Sequence, residues 1–394
     1  MKRVMLIFGT RPEAIKMAPV VRLLERSAHH EPVVVVTAQH REMLDQVLDL
    51  FEITPRYDLD VIAPRQGLAP LTSRTLDRLA PVITQEKPDL VLVQGDTTTT
   101  LVGALAAFYA GVPVVHLEAG LRTGDPTNPF PEEMNRRLTT RMASMHLAAT
   151  PLARDNLLAE GVPADDILVT GNTVIDALLW AVDQERPVSD PLLRATEAHD
   201  GPVVLVTTHR RESWGQPMHR VGLAVAELAR RFPSVLFVLP LHRNPAVREV
   251  IEPTLEGIAN VVTGEPCDYW SFARLMCRAH LLLSDSGGVQ EEGPSLGKPV
   301  LVMRDTTERP EAVTAGAARL VGTSTERIVA AAETLLTDTS AYDAMASAIN
   351  PYGDGDAARR TVQAVDRFLD GDGQVDEFLP SAKPAKFEPA SVVA

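Results

Sequence analysis

Acidic residues occur directly after short apolar runs of the sequence, at places suited to acid/base chemistry. Asp96 lies shortly after an apolar run at 90–93, and Glu118 directly follows another at 112–117. A third candidate, Glu132, follows Pro131 in a polar segment. A carboxylate held in place can take a proton from carbon or return one. Capping of a helix start is the alternative for Asp96 and Glu132, because acidic side chains also stabilise a first helical turn.

Two cations follow the first apolar run, at 4–8. Arg11 and Lys16 flank Pro12, which is typical of a helix start. A helix start offers unpaired backbone N–H groups and the positive end of the helix dipole, so the added cations predict an anion site. A solvated helix face is the alternative for an isolated Arg or Lys. The position at the end of the first strand favours the anion site.

A second cationic group, His209 to Arg211, follows the apolar run at 203–207. Three such neighbours are costly to gather unless something negative lies beside them, which predicts a second contribution to anion binding. Pairing with Glu212 and nearby acids into a surface network is the alternative. His242 is either a structural histidine or a ligand contact, and both interpretations stay open.

The segment 285–293 carries the most specific local pattern in the second half, Asp-Ser-Gly-Gly-Val-Gln-Glu-Glu-Gly. Gly287 and Gly288 would let backbone approach a ligand closely, while Ser286 and the amides that follow can bind a diphosphate. Glu292 would then reach a ribose diol with its carboxylate. A glycine-assisted turn with a serine N-cap is the alternative.

The elements that must position these residues alternate between β-branched apolar runs and stretches of helical periodicity, which is typical of parallel sheets covered by helices. The predicted strands are 4–8, 33–37, 90–93, 112–116 and 145–149 in a first series and 203–207, 235–239, 280–284 and 299–303 in a second. Such sheets bind ligands at the carboxyl ends of their strands. We therefore expect an α/β protein of two Rossmann-like, doubly wound domains facing one another across a cleft.

The predicted domain limits separate the two series of strands. An N-terminal domain spans 1–172 and a C-terminal, ligand-binding domain spans 173–356, with a C-terminal helix at 357–370 that completes the first domain. Residues 371–394 are rich in Pro, Ala, Ser and Lys with little periodicity, which predicts a flexible tail.

Composition excludes several classes of protein. The chain has 394 residues, 45% of them hydrophobic, and a net charge of −14, so a general nucleic-acid-binding surface is not expected. Two cysteines, Cys267 and Cys277, exclude a disulfide-stapled miniprotein. No G-x-G-x-x-G follows the first strand, and no metal-ligand spacing is present. The sequence predicts a cytoplasmic protein with no cofactor, no metal and no membrane partner.

Eight segments, all in one order, resemble the non-hydrolysing bacterial UDP-N-acetylglucosamine 2-epimerases. They are GTRPEAIK at 9–16, GDTTT at 95–99, HLEAGLRTG at 116–124, PEEMNR at 131–136, GNTVID at 171–176, HRRE at 209–212, DSGGVQEE at 285–292 and RDTTERPE at 304–311. The resemblance runs from about residue 2 to about residue 369.

This resemblance implies a glycosyltransferase-B-like architecture, a homodimer, and interconversion of UDP-GlcNAc and UDP-ManNAc without cofactor or metal. The family mechanism eliminates UDP to give 2-acetamidoglucal and then adds UDP back, which supplies ManNAc-type precursors for cell-surface polysaccharide. A hydrolysing UDP-GlcNAc 2-epimerase or a UDP-sugar glycosyltransferase of the same fold is the alternative.

Similarity also assigns roles to individual residues. Asp96, Glu118 and Glu132 would be the acid/base set, with His209 near the departing diphosphate. The residues expected to hold UDP are Arg11, Lys16, Phe272, Ser286, Gly287, Gly288, Glu292 and Arg309, with Phe272 near the uracil. An allosteric UDP-GlcNAc site would use Gln39, Glu42, Arg65, Arg210 and His242. Cys267 departs from the family pattern, which commonly has Gln there, and a side-chain contact at this position would alter base selectivity.

Overall fold

Parallel sheets covered by helices form two units of the chain. The first unit comprises Met1–Ala177 and Tyr352–Leu379, and the second contains Leu178–Pro351. The structure is a computed structural model and describes residues 1–39, 41–63, 66–371 and 373–380. The chain thus leaves the first unit at residue 177 and re-enters it at residue 352.

The described part of the first unit holds one parallel sheet. Its strands are β1 (Lys2–Phe8), β2 (His30–Val36), β3 (Tyr57–Asp58), β4 (Leu90–Gln94), β5 (Val114–Ala119), β6 (Met145–Ala148) and β7 (Ile167–Val169). Their order across the sheet is β3-β2-β1-β4-β5-β6-β7, and all neighbours are parallel. Its helices are α1 (Arg11–Glu25), α2 (Arg41–Phe51), α3 (Leu68–Glu86), α4 (Thr98–Tyr109), α5 (Glu132–Met142), α6 (Pro151–Ala159) and α7 (Thr173–Asp183), the last of which continues into the second unit.

Uninterrupted apolar runs produce the inner strands of this sheet. Val35 and Val36 of β2 are both fully buried, and so are the adjacent residues Val91 and Leu92 of β4. Successive strand side chains point to opposite faces, so burial of adjacent residues requires cover on both faces of the sheet. Helices supply this cover; α1 contacts β2, and α4 contacts β4.

The second unit repeats this plan in its described residues. Its strands are β8 (Val203–Thr207), β9 (Leu236–Pro240), β10 (Val261–Gly264), β11 (Leu281–Ser284), β12 (Val300–Val302) and β13 (Ala318–Leu320), in the parallel order β10-β9-β8-β11-β12-β13. Its helices are α8 (Pro191–Glu197), α9 (Gln216–Arg231), α10 (Pro245–Leu255), α11 (Tyr269–Arg278), α12 (Gly287–Ser295), α13 (Pro310–Thr314), α14 (Thr325–Thr337) and α15 (Thr339–Ala346).

Each sheet has a point where the strand order reverses. In the first unit this point lies between β1 and β4, and in the second it lies between β8 and β11. A crevice forms outside the carboxyl ends of the strands at such a reversal, and ligands of doubly wound sheets bind there. Within three residues of the ends of these four strands lie Arg11, Asp96, His209 and Ser286.

The last helix of the described chain, α16 (Ala357–Asp370), contacts α1 of the first unit. Beyond it, the chain packs on β7: the Phe378 N–H donates to the Val169 carbonyl at 2.7 Å, and Phe378 is buried. The sequence predicts a flexible tail from residue 371, but Phe378 of this segment is packed against the domain. The centre of its ring lies 5.6 Å from Cζ of the Arg360 guanidinium. Residues 381–394 of the predicted tail lie outside the described residues.

The predicted fold class is confirmed: both units are doubly wound, Rossmann-like α/β domains. All nine predicted strands are present, with ends shifted by up to three residues. Four short strands escaped prediction, namely β3, β7, β10 and β13. Of the helices in the described ranges, none is both long and apolar enough to cross a membrane.

Candidate active site

Glu118 lies at the carboxyl end of β5 in an unusual backbone conformation. Its φ is +61°, a region that non-glycine residues seldom adopt, and the pairing of β5 with β6 shifts register between Leu117 and Ala119. This bulge turns Glu118 toward Lys16 of α1, whose Nζ lies 2.6 Å from both carboxylate oxygens. The two side chains are only 11% and 13% exposed, so the ion pair is largely shielded from water.

Two side-chain amides also bind the Glu118 carboxylate. The Asn172 side-chain amide donates to Oε1 at 3.0 Å, and the Gln94 amide at the end of β4 donates to Oε2. An ionised carboxylate only accepts hydrogen bonds, so a ring of donors stabilises that form and fixes its orientation. The structure therefore brings together the predicted residues Lys16 and Glu118, which are 102 positions apart in the sequence.

Asp96 follows β4 and pairs with a buried arginine. Arg136 of α5 donates to Asp96 Oδ2 from Nε at 2.9 Å and from Nη2 at 2.6 Å. The Asn135 amide donates to the Asp96 carbonyl at 2.8 Å. The helix-capping alternative for Asp96 is wrong, because Thr97 is the N-cap of α4 and accepts the Thr100 N–H. Asp96 is instead held by charge, with its side chain 27% exposed.

The neighbouring glutamates of α5 have different environments. Glu133 is fully buried and pairs with Arg136 at 3.1 Å and Arg137 at 3.0 Å, so its role is structural. Glu132, the first residue of α5, is half-buried. Its carboxylate has no ion pair or hydrogen bond with any residue the structure describes, which leaves it available for a ligand.

A buried glutamate that the sequence analysis passed over organises the loops around Arg11. Glu13 accepts the N–H groups of Gly9 at 3.0 Å and Thr10 at 2.8 Å, and the hydroxyl of Thr97 at 2.5 Å. Burial raises the pKa of Glu13, although these donors oppose the shift. Glu13 thereby joins the loop after β1 to the loop after β4. The Thr10–Glu13 spacing of a capping box was the sequence signal for it.

In the second unit a buried aspartate orients the loop after β8. Asp285 is fully buried, and its Oδ2 accepts the N–H groups of His209 at 2.8 Å and Arg210 at 2.9 Å. Its Oδ1 lies 3.2 Å from His209 Nδ1. Burial lowers the pKa of His209, while the Asp285 carboxylate acts in the opposite direction. The loop from β11 to α12 was singled out in the sequence, but this role of its first residue was not.

Glu308 binds three arginines of the same unit. It lies 2.9 Å from Arg210, 2.8 Å from Arg309 and 2.7 Å from Arg304. Burial opposes its ionisation, but the guanidinium groups of Arg309, Arg210 and Arg304 outweigh burial and lower the pKa of Glu308 to about 2. Arg309 also contacts Glu291 at 2.5 Å. Arg210 thus pairs with an acid, but this acid is the largely buried Glu308 and not Glu212, which binds Arg304 at 2.7 Å. The predicted UDP-binding residue Arg309 shares Glu308 with Arg210.

The segment after β11 begins α12 beside Arg309. A Cβ atom at Gly287 would lie 2.6 Å from Arg309 Nη1, so only glycine permits this approach of guanidinium and backbone. Ser286 is the N-cap residue of α12, with Gly288 following in its first turn. Glu292 is buried further along the helix and accepts the Tyr269 hydroxyl at 3.0 Å.

Two residues of the predicted uracil pocket lie near one another in the sequence of the second unit. Phe272 is half-buried in α11. Cys267 is buried and forms no disulfide. In the described part of the chain, no group of three or more His, Cys, Asp or Glu side chains is arranged to hold a metal ion.

The residues of the predicted allosteric site occur in both units. In the first, Gln39 accepts the Thr99 hydroxyl at 3.3 Å and Glu42 is exposed. In the second, the exposed His242 ring stacks on His209 with centroids 6.3 Å apart. Arg210 of this set is the partner of Glu308 given above. Arg65 lies outside the described residues.

Comparison with known proteins decides the family. Residues 22–366 match the family model described as UDP-N-acetylglucosamine 2-epimerase. The chain belongs to the UDP-N-acetylglucosamine 2-epimerase family. The UDP-N-acetylglucosamine 2-epimerase of Yersinia pestis is 55% identical over 370 residues, which cover 92% of this chain and 98% of the relative.

Two solved structures of similar proteins agree with this chain in fold. The crystal structure of UDP-GlcNAc 2-epimerase from Neisseria meningitidis bound to UDP-GlcNAc has a TM-score of 0.85 and 48% identity, covering 92% of this chain and 99% of its own. The S. aureus MnaA structure with UDP has a TM-score of 0.86 and 46% identity, covering 96% and 100%. The family predicted from the eight sequence segments is therefore confirmed.

Proposed function

We propose that this member of the epimerase family interconverts UDP-GlcNAc and UDP-ManNAc by inverting C2 of the sugar. One observation carries the proposal: carboxylates stand at the ends of β4 and β5 and the start of α5, in a chain 48% identical to a protein solved with UDP-GlcNAc. Acids at these three places suit a reaction that removes and returns a carbon-bound proton.

The chemistry of the substrate explains why several acids are needed. The C2 proton has no adjacent carbonyl to acidify it, so simple abstraction leaves an unstabilised carbanion. Elimination avoids this difficulty. The C2–H bond and the C1–O bond to UDP break together, the proton goes to an enzyme base, and 2-acetamidoglucal with a C1=C2 double bond remains. Protonation of C2 on the opposite face and return of UDP to C1 complete the inversion.

The first unit supplies the acid/base groups in this proposal. Asp96, Glu118 and Glu132 form the set, in which one residue takes the C2 proton and another delivers a proton to the other face. Ion pairs with Lys16 and Arg136 hold Glu118 and Asp96 in place at the ends of β5 and β4. Glu132 makes no such pair in the described chain, so its carboxyl is the one least committed to an internal cation.

The second unit supplies most of the groups proposed to bind UDP. The start of α12 offers backbone N–H groups and the positive end of a helix dipole to the diphosphate, and Ser286 adds its hydroxyl. Arg309 and His209 stabilise the negative charge that develops as UDP departs. Glu292 would hold the ribose, with Phe272 beside the uracil. Arg11 and Lys16 of the first unit would contribute further positive charge.

Three finer statements complete the proposal. The protein acts as a homodimer in the cytoplasm, and its product supplies ManNAc-type precursors for cell-surface polysaccharide. A second molecule of UDP-GlcNAc regulates it through Gln39, Glu42, Arg65, Arg210 and His242. The chemistry of the bound sugar is carried out without a cofactor.

The experiment is incubation of the purified protein with UDP-GlcNAc alone, followed by anion-exchange chromatography. The proposal predicts UDP-ManNAc in equilibrium with the substrate. Accumulation of free ManNAc and UDP would indicate the hydrolysing reaction instead. Consumption of UDP-GlcNAc only when a sugar acceptor is added would indicate a glycosyltransferase, and recovery of unchanged substrate from folded protein would refute the proposal.

A further inference from the structure

Asn172 occupies a distinctive place in the chain. It directly precedes α7, the helix through which the chain passes out of the first unit, and it is 3% exposed. Its backbone N–H donates to the carbonyl of Tyr352 at 2.6 Å, and Tyr352 is the residue at which the chain re-enters that unit. Asn172 is therefore fixed where the outgoing and returning segments meet.

The side chain of Asn172 has both ends occupied. Its Oδ1 accepts the Val174 N–H at 3.1 Å, which caps the start of α7. Its Nδ2 donates to Glu118 Oε1 at 3.0 Å. Because Oδ1 is used by a backbone N–H, which is always a donor, the NH₂ end is the one that faces Glu118.

We propose that Asn172 is a positioning residue for Glu118: held at the junction of the two segments, it fixes the carboxylate through a single amide hydrogen bond. This inference rests on the proposed function of Glu118 in proton transfer. It adds a residue to the reaction that does not itself contact the substrate.

The other groups around Glu118 explain what Asn172 contributes. Lys16 reaches both oxygens from α1, and Gln94 reaches Oε2 from β4. Lys16 and Asn172 thus both donate to Oε1. His116, on the same strand, adds no positive charge at neutral pH, because burial lowers the pKa of His116 to about 4. Loss of the Asn172 donor would remove one hydrogen bond from Oε1 and so weaken the constraint on the orientation of the carboxylate.

Helix α7 makes a second contact with the returning segment, independent of Asn172. The Asp176 carboxylate, one turn along this helix, accepts the N–H groups of Ala357 at 3.2 Å and Ala358 at 2.8 Å. These two residues begin α16 of the returning segment. The start of α7 thus has its own attachments, so a change confined to the Asn172 side-chain nitrogen tests the contact with Glu118 rather than the junction.

Two substitutions separate the contact from the cap. Asn172→Asp has the same shape and still caps Val174, but it presents a carboxylate to Glu118 in place of a donor. Asn172→Ser keeps a hydroxyl for the cap and is too short to reach Glu118. Asn156→Asp is the matched control, because the Asn156 amide donates to the backbone carbonyl of Gly120 at 2.9 Å and faces no acid there.

Steady-state kinetics give the first readout. Asn172→Asp should lower kcat by about 10–100-fold with little change in KM, because a hydrogen bond to a charged group is lost while the proposed nucleotide contacts of the second unit are left in place. Two adjacent carboxylates resist joint ionisation, so the acid limb of the pH–rate profile should also move to higher pH. Asn172→Ser should show a smaller loss of kcat without that movement, and Asn156→Asp should leave the pH profile in place.

A double-mutant cycle provides a readout that does not depend on activity. At pH 8, Asn172→Asp should lower Tm by about 2–4 °C more in the parent protein than in the Glu118→Gln background, where charge repulsion is absent. Equal Tm losses in both backgrounds, together with an unmoved pH profile, would overturn the positioning role. If the parent protein makes no UDP-ManNAc, the proposed function fails, whereas the cycle still reports whether Asn172 and Glu118 interact.

Discussion

Replacement of Glu118 by glutamine tests the proposed acid/base set at its best-defined member. The new side chain keeps the size of the old one and loses its charge. Lys16 and Asn172 donate to Oε1, while Lys16 and Gln94 donate to Oε2, so the new NH₂ group faces two donors whichever way the amide turns. Glu118→Gln must therefore lose at least one favourable contact as well as the capacity to accept a proton.

The expected effect on catalysis is large. A positioned acid or base is worth about 10²–10⁴ in rate, or about 3–5 kcal/mol of activation free energy, so turnover should fall by that factor. The loss of hydrogen bonds should lower the free energy of unfolding by about 1–3 kcal/mol. UDP affinity should be retained or increased, because a negative charge is removed and Lys16 loses its carboxylate partner.

Turnover is measured by chromatography of the UDP-ManNAc formed, and UDP affinity is measured by calorimetric titration. Glu86→Gln is the control, since Glu86 is a buried glutamate of the same unit that accepts the Tyr57 hydroxyl at 2.5 Å and belongs to no proposed site. It should lose stability and keep turnover. Unchanged turnover in Glu118→Gln would remove Glu118 from the mechanism, and parallel loss of turnover in both variants would show that the effect is structural.

Three further outcomes are expected. Asp285→Asn should lower kcat and alter its pH dependence, since the carboxylate beside His209 Nδ1 is lost; an unaltered pH profile would contradict this role. Burial lowers the pKa of His146 to about 3, so below the ordinary value of 6.5 only the unfolded chain takes up this proton and stability falls as pH falls. His146→Gln should therefore reduce the slope of unfolding free energy between about pH 4 and about pH 6 by about 1.4 kcal/mol per unit in urea titrations, and an identical slope would refute it. Glu308→Gln should strengthen UDP binding at low salt in calorimetry, because one negative charge is withdrawn from among three guanidinium groups; weaker binding in a folded variant would show that Glu308 is needed to position them.

The inner strands could be predicted because their sequence carries the physical signal directly. Runs such as those of β1 and β2 consist of consecutive apolar residues, and burial on both faces of a parallel sheet requires that pattern. The strands β3 and β13 have two and three residues and include polar side chains, so their own sequences carry no such signal. These short segments become strands because they pair with a neighbouring strand, which is a tertiary interaction.

The sequence could indicate which residues belong to the candidate site, but it could not indicate which of them contact one another. Strand ends placed Asp96 and Glu118 near ligand-binding edges, because parallel strands share that direction. The pairing of Glu118 with Lys16, its positive φ and its bond to Asn172 depend on packing between segments far apart in the sequence. Local periodicity contains no information about such contacts. The central position of Asp285 was missed for the same reason.

The most direct test of the elimination mechanism is proton NMR of UDP-GlcNAc with the purified protein in heavy water. If enzyme carboxylates remove the C2 proton and return one from an exchanging group, the C2 signal must disappear from both nucleotide sugars as UDP-ManNAc accumulates. Formation of UDP-ManNAc with the original hydrogen still on C2 would contradict the account, since proton exchange at C2 is the step that the carboxylates are proposed to carry out.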